Sequence, residues 1–257
     1  MPTVTLQAKI YREAQLKNVE KLLKKTLKDL KVEINVLGTV GRRWVQAEVS
    51  GEDENVAVKF LAERIGLCPI DFENARGKTL KGYVTRLNES KYELYVDIGI
   101  FTPKAVDASI PIQHLQACLV DGRKVALKKL FEIFGFCENM PLHIKIWKID
   151  ENKDYIMATL SQKQLEQFKN WVRSLLDRLI VIGASKEEIN AALKMARCGG
   201  DMIDIEPLGL FEFAIVCKLG TDAAGIIPKI GKILPAATFS VFSSRQILEF
   251  VGEAYLQ

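Results

Sequence analysis

Three runs, Leu80-Lys81-Gly82-Tyr83-Val84, Lys91-Tyr92-Glu93-Leu94-Tyr95-Val96-Asp97-Ile98-Gly99 and Leu142-His143-Ile144-Lys145-Ile146-Trp147-Lys148-Ile149-Asp150, read together as strands of a small closed β-barrel over Thr79–Ser161. The first alternates and carries a glycine where a barrel strand bends sharply. The second has the aromatic and β-branched content of a strand and stops at a glycine. In the third, Leu142, Ile144, Ile146 and Ile149 mostly face one way. His143 and Lys145, with Trp147 and Lys148 after them, are left toward solvent. A turn over Glu151–Asp154 leads to a last strand, Tyr155–Leu160.

In their order these elements resemble the S1 version of the OB-fold. That family's pattern runs Gly-x-Val, Phe-Gly-x-Phe-Val-Asp, Gly-Leu-Val-His-x-Ser and Val-x-Val-x-x-Ile-Asp before a final strand. Gly82-Tyr83-Val84, Tyr92-Glu93-Leu94-Tyr95-Val96-Asp97, Ser109-Ile110-Pro111-Ile112 and Ile144-Lys145-Ile146-Trp147-Lys148-Ile149-Asp150 stand in those places. Tyrosine replaces each aromatic, and glutamate replaces the glycine. The resemblance covers about a third of the chain. It implies that RNA bases stack on Tyr92 and Tyr95, with Lys81, Tyr83, Arg86, His114, Lys145 and Lys148 as neighbours. Tyr92 and Tyr95 are three residues apart, so a regular strand points them to opposite faces, and a shared face needs a bulge or coil.

The chain departs from the family pattern in two places. Pro111 stands where the family often aims a histidine at RNA, and His114 is the candidate to cover that loss. An enlarged connection, Gln116–Met140, holds Lys124–Phe136, whose apolar residues are too many for one helical stripe. That surplus is expected to pack on another domain, with a partner protein as the other option.

Before the barrel the order is β-α-β-β-α. Val4–Tyr11 alternates, Glu13–Leu30 spaces its leucines helically, Lys31–Leu37 and Arg42–Val49 are strands, and Asp53–Ile65 is a second helix ending at Gly66. Lysines on the first helix read as a solvated face in preference to a phosphate stripe. Gly38-Thr39-Val40-Gly41 has the spacing of a KH loop, but it lies between strands and is rejected as one. Arg42 and Arg43, beside Trp44, form a basic hairpin tip able to touch phosphate.

After the barrel, Ser161 and Gln164 suggest a capping box. The helix then runs through Phe168, Trp171 and Val172 to Leu179 and stops at Gly183. Ser185 caps a second helix, Lys186–Arg197. Phe211–Leu219 and Ala237–Phe242 are strands, Ala223–Leu234 is a helix interrupted by Pro228, and Ser243 or Ser244 caps a last helix to Leu256. The turn Gly220-Thr221-Asp222 is read as structural capping, since Asp222 repels phosphate. The small residues Gly220, Ala223, Ala224 and Gly225 suggest that this helix packs closely on a neighbour or a partner.

With 257 residues, 48% hydrophobic and 26% charged, the chain has the composition of an ordinary globular protein. A net charge of +4 is too small for a long duplex grip, and it leans toward the first 70 residues. No apolar run spans a bilayer and no leader opens the chain, so the expected setting is cytoplasmic. The five scattered cysteines read as buried free thiols. Nucleotide-loop, hydrolase-elbow and zinc-protease motifs are missing, and only two histidines exist. Asp201, Asp204 and Glu206 read as a solvent-facing strand edge in preference to a metal cluster.

The sequence therefore predicts an α+β multidomain chain. It has a β-α-β-β-α domain over 1–70, an S1-like OB barrel over 76–160, a helical pair over 161–200 and an α/β domain over 201–257. The whole resembles an uncharacterised archaeal family that carries the Cys217–Gly225 run seen here. The order over 79–257 is similar to the α subunit of archaeal initiation factor two. The expected function is non-catalytic binding of RNA, single-stranded or structured ribosomal, in translation or transcription, with no cofactor and no metal. The alternative is a module that docks on the ribosome or RNA polymerase through protein contacts.

Overall fold

Helix caps and glycines at positive φ divide the chain into a mixed α+β order. The computed structural model describes residues 2–252; the end of the predicted last helix, 253–257, lies outside them. Two compact units form, Met1–Arg76 with Ile98–Asp107, and Gly77–Asp97 with Ala108–Gln257.

The first unit holds β1 (Thr3–Lys9), α1 (Ala14–Thr26), β2 (Val32–Val40), β3 (Trp44–Gly51), α2 (Glu54–Arg64) and α3 (Phe72–Ala75). The predicted β-α-β-β-α order gives one antiparallel sheet, β1-β3-β2. The outer side of β1 is covered, since Cys68 N donates to Thr5 O and Gln7 N to Gly66 O. Val19 and Leu23 are the buried face of α1, while Lys17, Lys21, Lys24, Lys25 and Lys28 are exposed, as a solvated lysine face requires.

The next stretch holds β4 (Thr79–Thr85), β5 (Glu93–Ile100), β6 (Val106–Pro111), α4 (Ile112–Leu119), α5 (Leu127–Phe134), β7 (Pro141–Asp150) and β8 (Tyr155–Leu160), with the end of β5 and the start of β6 counted in the first unit and the rest in the second. Its strands close into a barrel in the order β4-β5-β6-β8-β7, with β4 pairing back onto β7. β6 and β8 run parallel, so the chain crosses the barrel end between β6 and β7. That crossing accounts for the long connection holding α4 and α5. Val84, Leu94, Val96, Leu142, Ile144 and Ile156 fill the interior at successive alternate positions.

The apolar surplus of Lys124–Phe136 is used inside the same unit. The Phe134 ring lies 5.8 Å from Phe168 and 6.1 Å from Phe242, and Phe168 lies 5.8 Å from Trp171. Gly135 ends α5 at φ 66°, and a Cβ there would sit 2.7 Å from the Val241 carbonyl oxygen. Backbone conformation and close approach both demand glycine.

The remainder holds α6 (Gln162–Arg173), β9 (Arg178–Ile182), α7 (Lys186–Met195), β10 (Met202–Pro207), β11 (Glu212–Cys217), α8 (Ala223–Gly231), β12 (Thr238–Phe242) and α9 (Ser244–Val251). Its antiparallel sheet has the order β10-β11-β9-β12. The sequence β-α-β-β-α-β in that arrangement is the split βαβ pattern.

This corrects the predicted helical pair. α6 stops at Arg173, Leu175 turns the chain at φ 57°, and Leu179-Ile180-Val181-Ile182 is a fully buried central strand. A four-residue apolar run fits either a helix or a strand, and pairing with β11 and β12 on its two sides decides it. Within the chain the predicted close fit of α8 is made, of these small residues, by Ala223 alone, since Gly220, Ala224 and Gly225 are exposed. Asp222 stands at the N-cap of α8 without a side-chain capping bond. Ser185 and Glu188 form a complete capping box on α7. Ser161 makes half of one, because Gln164 Oε1 accepts from His143 N at 2.9 Å instead. No helix among the described residues is long and apolar enough to cross a membrane.

Candidate nucleic-acid interface

β5 begins one residue after Tyr92, and this settles the parity problem. Ser90 Oγ accepts from Tyr92 N and Glu93 N, each at 3.1 Å, and fixes the strand start. From there Glu93 and Tyr95 point away from the barrel interior while Leu94 and Val96 point in. Tyr92 precedes the regular strand and is 71% exposed. Its carbonyl accepts from Ile112 N at 2.7 Å, which joins it to the start of α4.

Tyr95 is half-buried, and the Arg86 guanidinium lies 4.0 Å from its ring centroid. Burial first, then the hydrogen bond and charge of Glu93, push the Tyr95 phenol up; Ser90 and Arg86 pull it the other way. Tyr155 OH donates to Glu93 Oε1 at 3.1 Å from the far side. A carboxylate therefore sits between two tyrosines on this face, a poor place for phosphate.

Cations and open rings gather on β7 instead. Pairing with β8 slips between Ile146 and Lys148, and the extra residue at this bulge is Trp147, 67% exposed. The His114 ring from α4 lies 5.5 Å from the Trp147 ring. Lys145 and Lys148 flank it, both exposed, and neither makes an ion pair among the described residues. The structure thus brings together Trp147, His114, Lys145 and Lys148, with Tyr92 joined to the same helix start.

Other predicted residues go elsewhere. Tyr83 is 0% exposed, and Gly209 and Glu212 lie against its hydroxyl region, so it leaves the contact set. Its strand position is outward from the barrel, but the chain between β10 and β11 covers it. Lys81 is half-exposed on β4, in register with His143 of β7. Arg42 Nη1 donates to both carboxylate oxygens of Asp107, at 2.7 and 2.9 Å, and the Asp107 side chain is 2% exposed. Arg43 donates to the Tyr11 carbonyl at 2.9 Å, and Trp44 is buried under Lys9. The basic hairpin tip is therefore a fastening within its own unit. Glu206 is paired with Arg178, Asp204 accepts from the neighbouring Ile205 N, and Asp201 and Asp204 are exposed at the β10 edge of the sheet.

Trp147 did not stand out in the sequence, although its signal was there. Between Ile146 and Ile149 the inward positions fall three apart instead of two, which is what one extra residue in a strand produces.

No curated protein matches the chain. Among solved structures, an uncharacterised protein from Methanocaldococcus jannaschii is 15% identical, with 34% of this chain and 90% of that chain covered and a TM-score of 0.23. The intact alpha subunit of aIF2 from Pyrococcus abyssi is 11% identical, with 63% and 95% covered and a TM-score of 0.25. A chain of the a/eIF2alpha-aDim2p-rRNA complex from Pyrococcus horikoshii is 12% identical, with 47% and 62% covered and a TM-score of 0.25. The N-terminal, central and C-terminal domains of one family match residues 3–69, 74–172 and 176–242 in that order. The chain belongs to the DUF2110 family.

Proposed function

We propose that this protein binds single-stranded RNA on the outer face of an S1-like barrel, without catalysis, as part of the translation or transcription machinery. The observation that carries the reading is the exposed Trp147 beside His114, flanked by the exposed cations Lys145 and Lys148. An open ring between cations is what a flexible polynucleotide needs, because every base has a face to stack and every phosphate a charge to neutralise. Tyr92 offers a second open ring. The small net charge suits a short contact on one strand and does not suit a long duplex. The reading in which the barrel serves protein contacts keeps the low net charge and Pro111 but not the apolar segment Lys124–Phe136, whose Phe134 and Phe136 pack on Phe168 and Phe242 of its own chain.

The test is fluorescence anisotropy with a labelled RNA of about eight nucleotides at low salt. Trp147→Ala is expected to weaken binding about 5- to 150-fold, the equivalent of one stacked base at about 1–3 kcal/mol. Equal affinity of wild type and variant, or no binding by wild type, would sink the reading.

A further inference from the structure

We propose that the RNA path continues along β7 into the cleft beside His143, where one nucleotide is held with its phosphate on Lys163; this rests on the RNA reading above. The cleft has a volume of about 490 Å³ and lies between His143 of β7, the α6 residues Lys163, Gln167, Asn170 and Trp171, and the Arg178–Glu206 pair. That volume lies within the range of small-ligand pockets.

The wall at the back is neutral. Arg178 is buried, donates to Glu206, to Ser174 Oγ at 3.0 Å and to the Leu176 carbonyl at 2.9 Å, and lies 5.0 Å from the Trp171 ring. Its charge is already answered and does not recruit a ligand. Lys163 differs. It is exposed in the first turn of α6 and makes no ion pair among the described residues. Glu166 on the cleft wall accepts from the Gln162 amide at 3.1 Å. Lys163 and Lys81 both act on His143 and, after burial, help drive its pKa down to about 4. Lys163 therefore stands close enough to the imidazole to act on it, while Glu166 and Glu206 also line the cleft. A phosphate at the Lys163 end meets an ammonium donor, while the amides of Gln167 and Asn170 offer donors and acceptors to a base edge.

Continuity supplies the second support. His143, Lys145 and Trp147 follow one another along β7. At about 3.3 Å per residue they span about 13 Å, which a short stretch of polynucleotide covers without a bend. Lys145 is the bridge between the stacking ring and the cleft.

The experiment compares wild type, Lys163→Glu and Trp147→Ala with labelled RNAs of about eight and about three nucleotides, and follows the His143 ring by NMR. Lys163→Glu changes an exposed residue and leaves the core intact. It is expected to weaken the longer RNA about tenfold, to lower the salt slope by about 0.7, and to leave the shorter RNA unaffected. The His143 ring signals of wild type are expected to shift on adding the longer RNA. If Lys163→Glu holds the longer RNA as wild type does and His143 does not move, while Trp147→Ala still loses affinity, the cleft is off the path and the RNA reading survives. If wild type holds neither RNA at low salt, both proposals fall.

Discussion

Arg86 places its guanidinium carbon 4.0 Å from the centroid of the Tyr95 ring, and this contact turns a predicted stacking tyrosine into a covered one. A base approaching that face meets the cation before the ring, with Glu93 hydrogen-bonded beside it. The guanidinium also favours the phenolate, opposing burial and Glu93. Arg86→Ala should therefore push the Tyr95 phenol further up. Ultraviolet titration of tyrosinate in this variant, against Tyr95→Phe as the blank, would show no such rise if the two side chains were not in contact.

Tyr83 and Tyr92 should separate cleanly. Tyr83→Ala empties a fully buried site and is expected to cost about 3–5 kcal/mol of stability. Tyr92→Ala removes an exposed ring and should change stability by less than about 0.5 kcal/mol. Urea unfolding measures both, and comparable losses from the two changes would contradict the burial described above.

Arg42 is expected to serve folding, with no part in RNA contact. Arg42→Ala leaves the buried Asp107 carboxylate short of a charged donor, at a cost of about 1–3 kcal/mol. RNA affinity should stay as in wild type. A variant of unchanged stability and reduced RNA affinity would return Arg42 to the interface.

His143 predicts a stability that depends on pH. Its pKa is lowered from 6.5 to about 4 by burial, then by Lys163, then by Lys81. Between those values the unfolded chain is protonated and the folded one is not, so the unfolded state binds more protons. Stability should fall as pH drops from about 6.5 to about 4 and lose nothing more from this group below that. His143→Gln, which keeps the backbone donor to Gln164, should flatten the profile in that window. Parallel profiles for wild type and variant would exclude the effect.

Four of the five thiols should be silent in the folded state. Cys68, Cys137, Cys198 and Cys217 are buried, and burial, with a neighbouring carboxylate second, pushes Cys137 up to about 12 and Cys217 to about 11. Iodoacetamide should label Cys118 first, and mass spectrometry showing Cys137 labelled at native pH would disagree with its burial.

The sequence by itself determined the barrel strands, the N-terminal β-α-β-β-α order, and the helix starts at Ser161 and Ser185, with the last one narrowed to Ser243 or Ser244. Each is written in local chemistry: period-two alternation, turn glycines, and hydroxyl caps that act within four residues. The tertiary structure alone decided which outward residues stay outward. Tyr83 and Tyr95 occupy the same strand parity as exposed residues, yet one is sealed by the chain before β11 and the other by Arg86. It also decided that Leu179-Ile180-Val181-Ile182 is a strand, since only β11 and β12 on either side supply its hydrogen bonds. Those partners lie thirty or more residues away in the chain. A local pattern records which way a side chain leaves the backbone, while what meets it there depends on segments distant in sequence.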